Sequence, residues 1–110
     1  MAIGGVNDLH KKVYEQGDII NIENLKVPVL VVSKNFFNET GEVMVCPIIA
    51  KNTNSPLHVG IVCDLVNGEV HCEKVKLFDL NMRGSKKIGN IGMRERMLIA
   101  DMIQSLFDYV

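Results

Sequence analysis

Apolar positions along this chain follow two different periods. In "VNDLHKKVYEQG" Val6, Leu9 and Val13 share one helical face, with Asn7 or Asp8 placed to cap it and Gly17 to stop it, so a short N-terminal helix is predicted. From Asp18 the period shortens. "DIINIEN" alternates loosely, "VLVVS" and "EVMVCPII" are solid apolar runs rich in β-branched residues, and three successive strands are predicted. Between the last two, "NFFNETGE" supplies Asn38 and Gly41, which tolerate positive φ and permit a tight antiparallel reversal.

Beyond the polar stretch "AKNTNSP", the run "LHVGIVCDL" sets Leu57, Val59, Ile61 and Cys63 against His58, Gly60 and Val62. "VNGEVHCEKVKLFDL" places Asn67-Gly68 between two β-like runs, a strong hairpin signal. The basic connector "NMRGSKKIGNIG" has room for one helical turn and one short strand. It leads to "MRERMLIADMIQSLFDYV", where Ile99, Met102, Ile103, Leu106 and Val110 recur at a helical period behind Gly92 as N-cap. The expected architecture is mainly β with helices (α+β): a small barrel-like antiparallel sheet with a C-terminal helix and a short N-terminal helix.

Composition narrows the function classes. A chain of 110 residues is long enough to fold around its own core without staples. Its formal charge of −1 makes no general electrostatic case for nucleic acid, so any such case needs a local basic patch. The three cysteines, Cys46, Cys63 and Cys72, are odd in number, form no C-x-x-C pair and sit in apolar runs, which points to free thiols in a reducing cytoplasm. No apolar stretch approaches a membrane span and "MAIGGVNDLHKK" lacks the order of a secretory signal, so no membrane association is expected.

His58, His71, Cys63 and Cys72 are potential metal ligands, but their spacing matches no ligand motif, and alternation along a strand sends His71 and Cys72 to opposite faces. The reading favoured is core thiols beside surface histidines, with no metal and no cofactor. A basic stripe is more informative: Lys74, Lys76, Arg83, Lys86 and Lys87 face only Asp79 between residues 74 and 87. Lys74 and Lys76 would share a strand face and suit phosphate contacts, or equally protect an edge strand. In "AKNTNSP", Lys51, Asn52, Thr53 and Ser55 offer donors that could hold a phosphate or simply shape a turn.

The order of these pieces resembles the MazF/PemK toxins of type II toxin–antitoxin modules, a group related to the CcdB toxins. The matching pieces are Gly17-Asp18-Ile19, Pro28 to Ser33, Asn35 and Asn38, Val43 to Ile48, Pro56 to Ile61, Glu73 to Asp79, "KKIGNI" and the terminal helix. The resemblance divides the chain into an N-terminal helical extension (1–16) and a barrel domain (17–110). It implies an SH3-like barrel, a homodimer, and sequence-specific, metal-independent cleavage of single-stranded RNA in which the 2′-hydroxyl attacks the adjacent phosphate. A cognate antitoxin that folds on binding would block the groove.

Two positions depart from that family pattern. Arg is usual immediately before the proline of the second strand, where this chain has Val27, and Thr or Ser after the third strand, where it has Ile49 and Ala50. One electrostatic donor to a transition state is worth about 3 kcal/mol, so other groups must supply the chemistry. Lys26 and Lys51 are the nearest substitutes as catalytic cations, while Asn52, Thr53, Ser55, Lys74, Lys76 and Arg83 are the RNA-binding candidates. The alternative is a catalytically inactive toxin-like dimer that binds RNA or a protein. A gyrase-directed toxin of CcdB type would carry a C-terminal Trp-Gly-Ile, which "FDYV" lacks.

Overall fold

The computed structural model describes residues 13–63 and 65–107. The predicted N-terminal helix lies outside these residues apart from its last few positions, and residues 13–17 are not helical. The strands are β1 (Asp18–Ile22), β2 (Val29–Val31), β3 (Glu42–Ile49), β4 (His58–Val62), β5 (Asn67–His71), β6 (Lys76–Asp79) and β7 (Ser85–Asn90). Two helices accompany them, a single turn α1 (Asn35–Asn38) and the C-terminal α2 (Met93–Ser105).

Every strand pairing is antiparallel, in the order β4-β5-β3-β2-β1-β7, with β6 also on β3. The sheet divides along β3. One edge of β3 pairs with β2; its other edge pairs with β6 from Glu42 to Val45 and then with β5 at Ile48 and Ile49. Pro47, which has no N–H to donate, falls in the gap between these two stretches, where that edge needs no donor. The result is a curled half-barrel with α2 laid against it.

Curling explains why β2 and β3 read as solid apolar runs and why β1 alternates only loosely. Ile19, Leu30, Cys46 and Ile48 pack into one cluster with Val59, Ile61, Val70, Cys72, Ile91 and Ile99 of α2. The alternate residues Ile20, Ile22, Val29, Val31, Val43 and Val45 pack into a second cluster with Tyr14. A strand buried on both faces loses its polar alternation. By contrast β4 buries only Val59 and Ile61, leaving the face that carries His58 and Gly60 on the outside.

Several local expectations need correction. The β4–β5 hairpin forms, but its reversal lies between Cys63 and Val66, which exchange backbone hydrogen bonds of 2.9 and 3.2 Å, and Asn67 already pairs with Val62. Gly41 has the expected positive φ, at +94°, whereas Asn38 is helical and buried. Its amide donates to Tyr14 O (2.8 Å) and Ser33 O (3.0 Å), so its role is to tie the turn together. The connector after β6 holds turns but no helix, and only its strand, β7, forms.

Gly68 marks a close approach between β5 and the end of β3. A Cβ there would stand 2.6 Å from the Ile49 carbonyl oxygen, and a backbone atom in a ladder cannot give way. Gly68→Ala is therefore expected to lower stability by about 1–3 kcal/mol. Gly60→Ala on the neighbouring strand, where nothing lies within 4 Å of the added carbon, should stay within about 0.5 kcal/mol of wild type. Urea denaturation midpoints check the contrast.

Candidate functional site

The strand register assembles the site. β2 and β3 pair Val29 with Pro47, and the ladder continues past β2 through a hydrogen bond from Ile48 N to Pro28 O of 3.0 Å. Val27 and Ile49, the positions where the family resemblance implies Arg and Thr or Ser, lie at the same end of this ladder, Val27 in the bend that precedes β2. Ile49 is paired in turn with Glu69, and Glu69 with Gly60. Directly paired residues share a face. One row across β3, β5 and β4 thus leads from Ile49 to a carboxylate.

Around Glu69 the outer face of β4 and β5 carries a connected polar cluster. His58 and His71 are cross-strand partners. The backbone bond from Cys72 N to Leu57 O makes the preceding pair the hydrogen-bonded one, so His58 and His71 occupy the closer, non-bonded position. Their rings stack with centroids 3.6 Å apart and planes 7° from parallel. His58 Nε2 lies 3.0 Å from Glu73 Oε2, and its Nδ1 lies 2.5 Å from Thr53 Oγ1 and 3.5 Å from Glu69 Oε1. Thr53 donates to Glu69 Oε1 twice, from Oγ1 at 2.8 Å and from its backbone N–H at 3.1 Å. A hydrogen-bonded chain therefore runs Glu73, His58, Thr53, Glu69.

Each member is tuned by its neighbours. Hydrogen bonding from Thr53, with the charge of His58 adding to it, holds the Glu69 carboxyl below its ordinary value, and hydrogen bonding from His58 does the same for Glu73. Burial, followed by the repulsion of His58, lowers the pKa of His71. Cys46 and Cys72 are pushed up to about 12 and about 11, chiefly by burial, which makes them inert thiols rather than nucleophiles.

These three lowered values act on stability in the same sense. Between its folded value and its ordinary 6.5, His71 is protonated in the unfolded chain but not in the folded one, so its contribution is complete above 6.5 and lost as pH falls through the folded value. Glu69 and Glu73 repeat the pattern below 4.5. Metal-free protein is thus expected to lose thermal stability on acidification in two limbs, the first just below pH 6.5. His71→Phe should flatten that first limb alone, as thermal melts across the range would read.

The structure redistributes the residues selected from sequence. Lys26 and Lys51 are both exposed, before β2 and after β3, and neither enters the polar cluster. In the loop, Asn52 Oδ1 accepts from Asn54 N and Ser55 Oγ from Leu57 N, which are turn-forming bonds, and Thr53 alone joins the cluster. Lys76 is exposed on β6, but Lys74 lies in the turn after β5, its N–H bonded to His71 O, so the two do not share a strand face. Arg83 donates to Glu23 O at 2.6 Å and lies 5.1 Å from the Phe78 ring centroid, which anchors a loop.

The expectation of ordinary surface histidines is overturned. His71 is 7% exposed and the His58 side chain 8%. Sequence spacing gave no sign of this because antiparallel pairing, not a short motif, brings the rings together. The same pairing gathers the donor atoms of His58, Glu69 and His71 within 4.8 Å of one another, the one such group of potential metal ligands among the described residues.

Comparison with solved structures defines the class of protein. The MazE–MazF complex from Deinococcus radiodurans superposes with a TM-score of 0.78 over 86% of this chain and 96% of that one, at 22% identity. An endoribonuclease from a mycobacterial species gives 0.73 over 87% and 92% at 18% identity, and one bound to its cognate antitoxin gives 0.70 over 88% and 99% at 16%. The half-barrel is therefore of the MazF type. Residues 15–107 match the model of the PemK-like, MazF-like toxins of type II toxin–antitoxin systems, and the chain belongs to that family. Comparison with curated proteins yields no match.

Proposed function

We propose that this chain is the toxin of a type II module and cuts single-stranded RNA without a metal, with its acid–base chemistry moved onto the outer face of β4 and β5. The observation that carries the reading is the pairing of Ile49 with Glu69, which sets the Glu73–His58–Thr53–Glu69 chain beside the place where the family's hydroxyl is expected. Thr53 supplies a hydroxyl that Ile49 lacks.

Glu73, whose side chain is the most exposed of the ion-paired members at 32%, takes the proton of the 2′-hydroxyl. O2′ then attacks phosphorus, the P–O5′ bond breaks, and O5′ receives the Thr53 hydroxyl proton. His58, with a proton on each ring nitrogen, delivers its Nδ1 proton to Thr53 and keeps the Nε2 proton that it donates to Glu73. Afterwards Glu73 gives the 2′ proton to water and His58 takes one back at Nδ1, so the chain ends with its protons restored in number. Lys26 and Lys51 serve as exposed charges for phosphate, a role that needs no proton transfer. The products are a cyclic phosphate and a 5′-hydroxyl end, and the need for a 2′-hydroxyl restricts the substrate to RNA.

A cognate antitoxin and a second copy of the chain are the expected partners. Met93, Met97 and Leu98 of α2 and the adjacent Phe107 leave half or more of their surface exposed, an apolar area suited to being covered. The related mycobacterial endoribonuclease is held by its antitoxin. Among the described residues no helix is long and apolar enough to cross a membrane, and free Cys46, Cys63 and Cys72 suit a cytoplasmic setting. Purified protein incubated with a long defined RNA in EDTA should produce discrete fragments with 5′-hydroxyl ends. Intact RNA would instead establish the inactive, binding-only alternative.

A further inference from the structure

Proton relay through His58 leaves one feature of the cluster without a purpose. Both ring nitrogens of His71 are buried and have no hydrogen-bond partner among the described residues. Such atoms are rare in folded proteins because each forfeits its water without compensation. A phenylalanine would stack on His58 equally well without that penalty, so the nitrogens themselves ask for a ligand.

We propose that His58, Glu69 and His71 form a binding site for one divalent transition-metal ion of the zinc class. Two imidazoles and a carboxylate, with no thiolate, are a ligand set that such ions accept, and three protein ligands leave a position open for water. Calcium and magnesium, which prefer all-oxygen shells, fit poorly. The backbone frame is already built, because the ladder fixes His58 opposite His71 and places Glu69 one strand position of the same face away.

The donor atoms now lie within 4.8 Å of one another. Bonds of about 2.0–2.1 Å in a tetrahedron bring ligand atoms to about 3.3 Å. Opening the 3.6 Å ring stack by side-chain torsion closes that difference without moving a strand. Loading the site withdraws His58 and Glu69 from the proton chain, so bound metal switches cleavage off; this consequence, unlike the site itself, rests on the ribonuclease reading above.

Calorimetric titration of zinc chloride into the EDTA-treated, exchanged full chain tests the site directly. The expected result is one ion per chain, with affinity lowered about tenfold or more in both His71→Phe and Glu69→Gln and unchanged in Cys63→Ser. Zinc should raise the melting temperature of the wild type and of neither ligand variant. The phenylalanine keeps the stack, and the partly exposed Glu69 gives a second variant should the first fold poorly. No binding at submillimolar zinc, or binding indifferent to both ligand variants, overturns the proposal. Histidine-dependent zinc binding by a chain that leaves RNA intact in EDTA would remove the ribonuclease reading and leave this one standing; cleavage in EDTA without zinc binding would do the reverse.

Discussion

Replacing His58 by alanine is expected to slow RNA cleavage by about 10²- to 10⁴-fold, the usual worth of a positioned acid–base group. His58 is the only described residue whose ring joins Glu73 on one side to Thr53 and Glu69 on the other. Its removal separates the carboxylate proposed to take the 2′ proton from the hydroxyl proposed to protonate the leaving oxygen. It also leaves Glu69 and Glu73 without the imidazole that helps hold them ionised. The fold should survive, since the ring lies outside both apolar clusters. Circular dichroism with single-turnover cleavage in EDTA separates loss of chemistry from loss of structure, and unaltered cleavage by a folded His58→Ala protein would exclude the relay.

The largest stability effect outside the apolar clusters is expected at Asn38. Its side chain is 1% exposed and serves three groups: the carbonyls of Tyr14 and Ser33 and the hydroxyl of Ser33. Ser33 Oγ in turn accepts from Met44 N at 2.9 Å, so one amide ties the chain before β1 and the α1 turn to the edge of β3. Asn38→Ala strands two carbonyls and a hydroxyl in an enclosed place. Each stranded group costs about 1–3 kcal/mol, and partial rescue by water leaves an expected loss on the order of 3 kcal/mol. Asn38→Asp should destabilise as well, because a carboxylate cannot donate to those carbonyls. Denaturant unfolding reads both variants, and a loss below about 1 kcal/mol would show that the turn does not depend on this amide.

These expectations also show how far the residues alone reach. Strands β2 and β3 were legible because burial on both faces writes an apolar run, β1 by its loose alternation, and α2 because its apolar residues recur at a helical period and Gly92 caps it. The β4–β5 hairpin was legible but its turn was not. Asn67-Gly68 is the stronger turn dipeptide, yet Gly68 is needed in the ladder, where only hydrogen fits against Ile49 O.

The site was readable in its vacancies rather than its contents. Val27 and Ile49 stood out against the family pattern, whereas His58 and His71 meet only through strand register, which no short motif encodes. Thr53 was chosen among loop donors, but nothing in "AKNTNSP" distinguishes it from Asn52 and Ser55, whose side chains close turns. Lysines drew attention as charges, and the neutral-looking face of β4 and β5 held the connected chemistry.

The proposed chemistry sits on the His58 chain and not on the lysines near Val27 and Ile49. Single-turnover cleavage of one defined single-stranded RNA in EDTA, comparing His58→Ala with the Lys26→Ala/Lys51→Ala double variant, tests it most directly. The expected result is a loss of about a hundredfold or more for His58→Ala and about tenfold or less for the double variant, whose side chains are assigned phosphate contacts alone. Full activity in His58→Ala with abolition in the double lysine variant would move the chemistry from the His58 chain to the lysines.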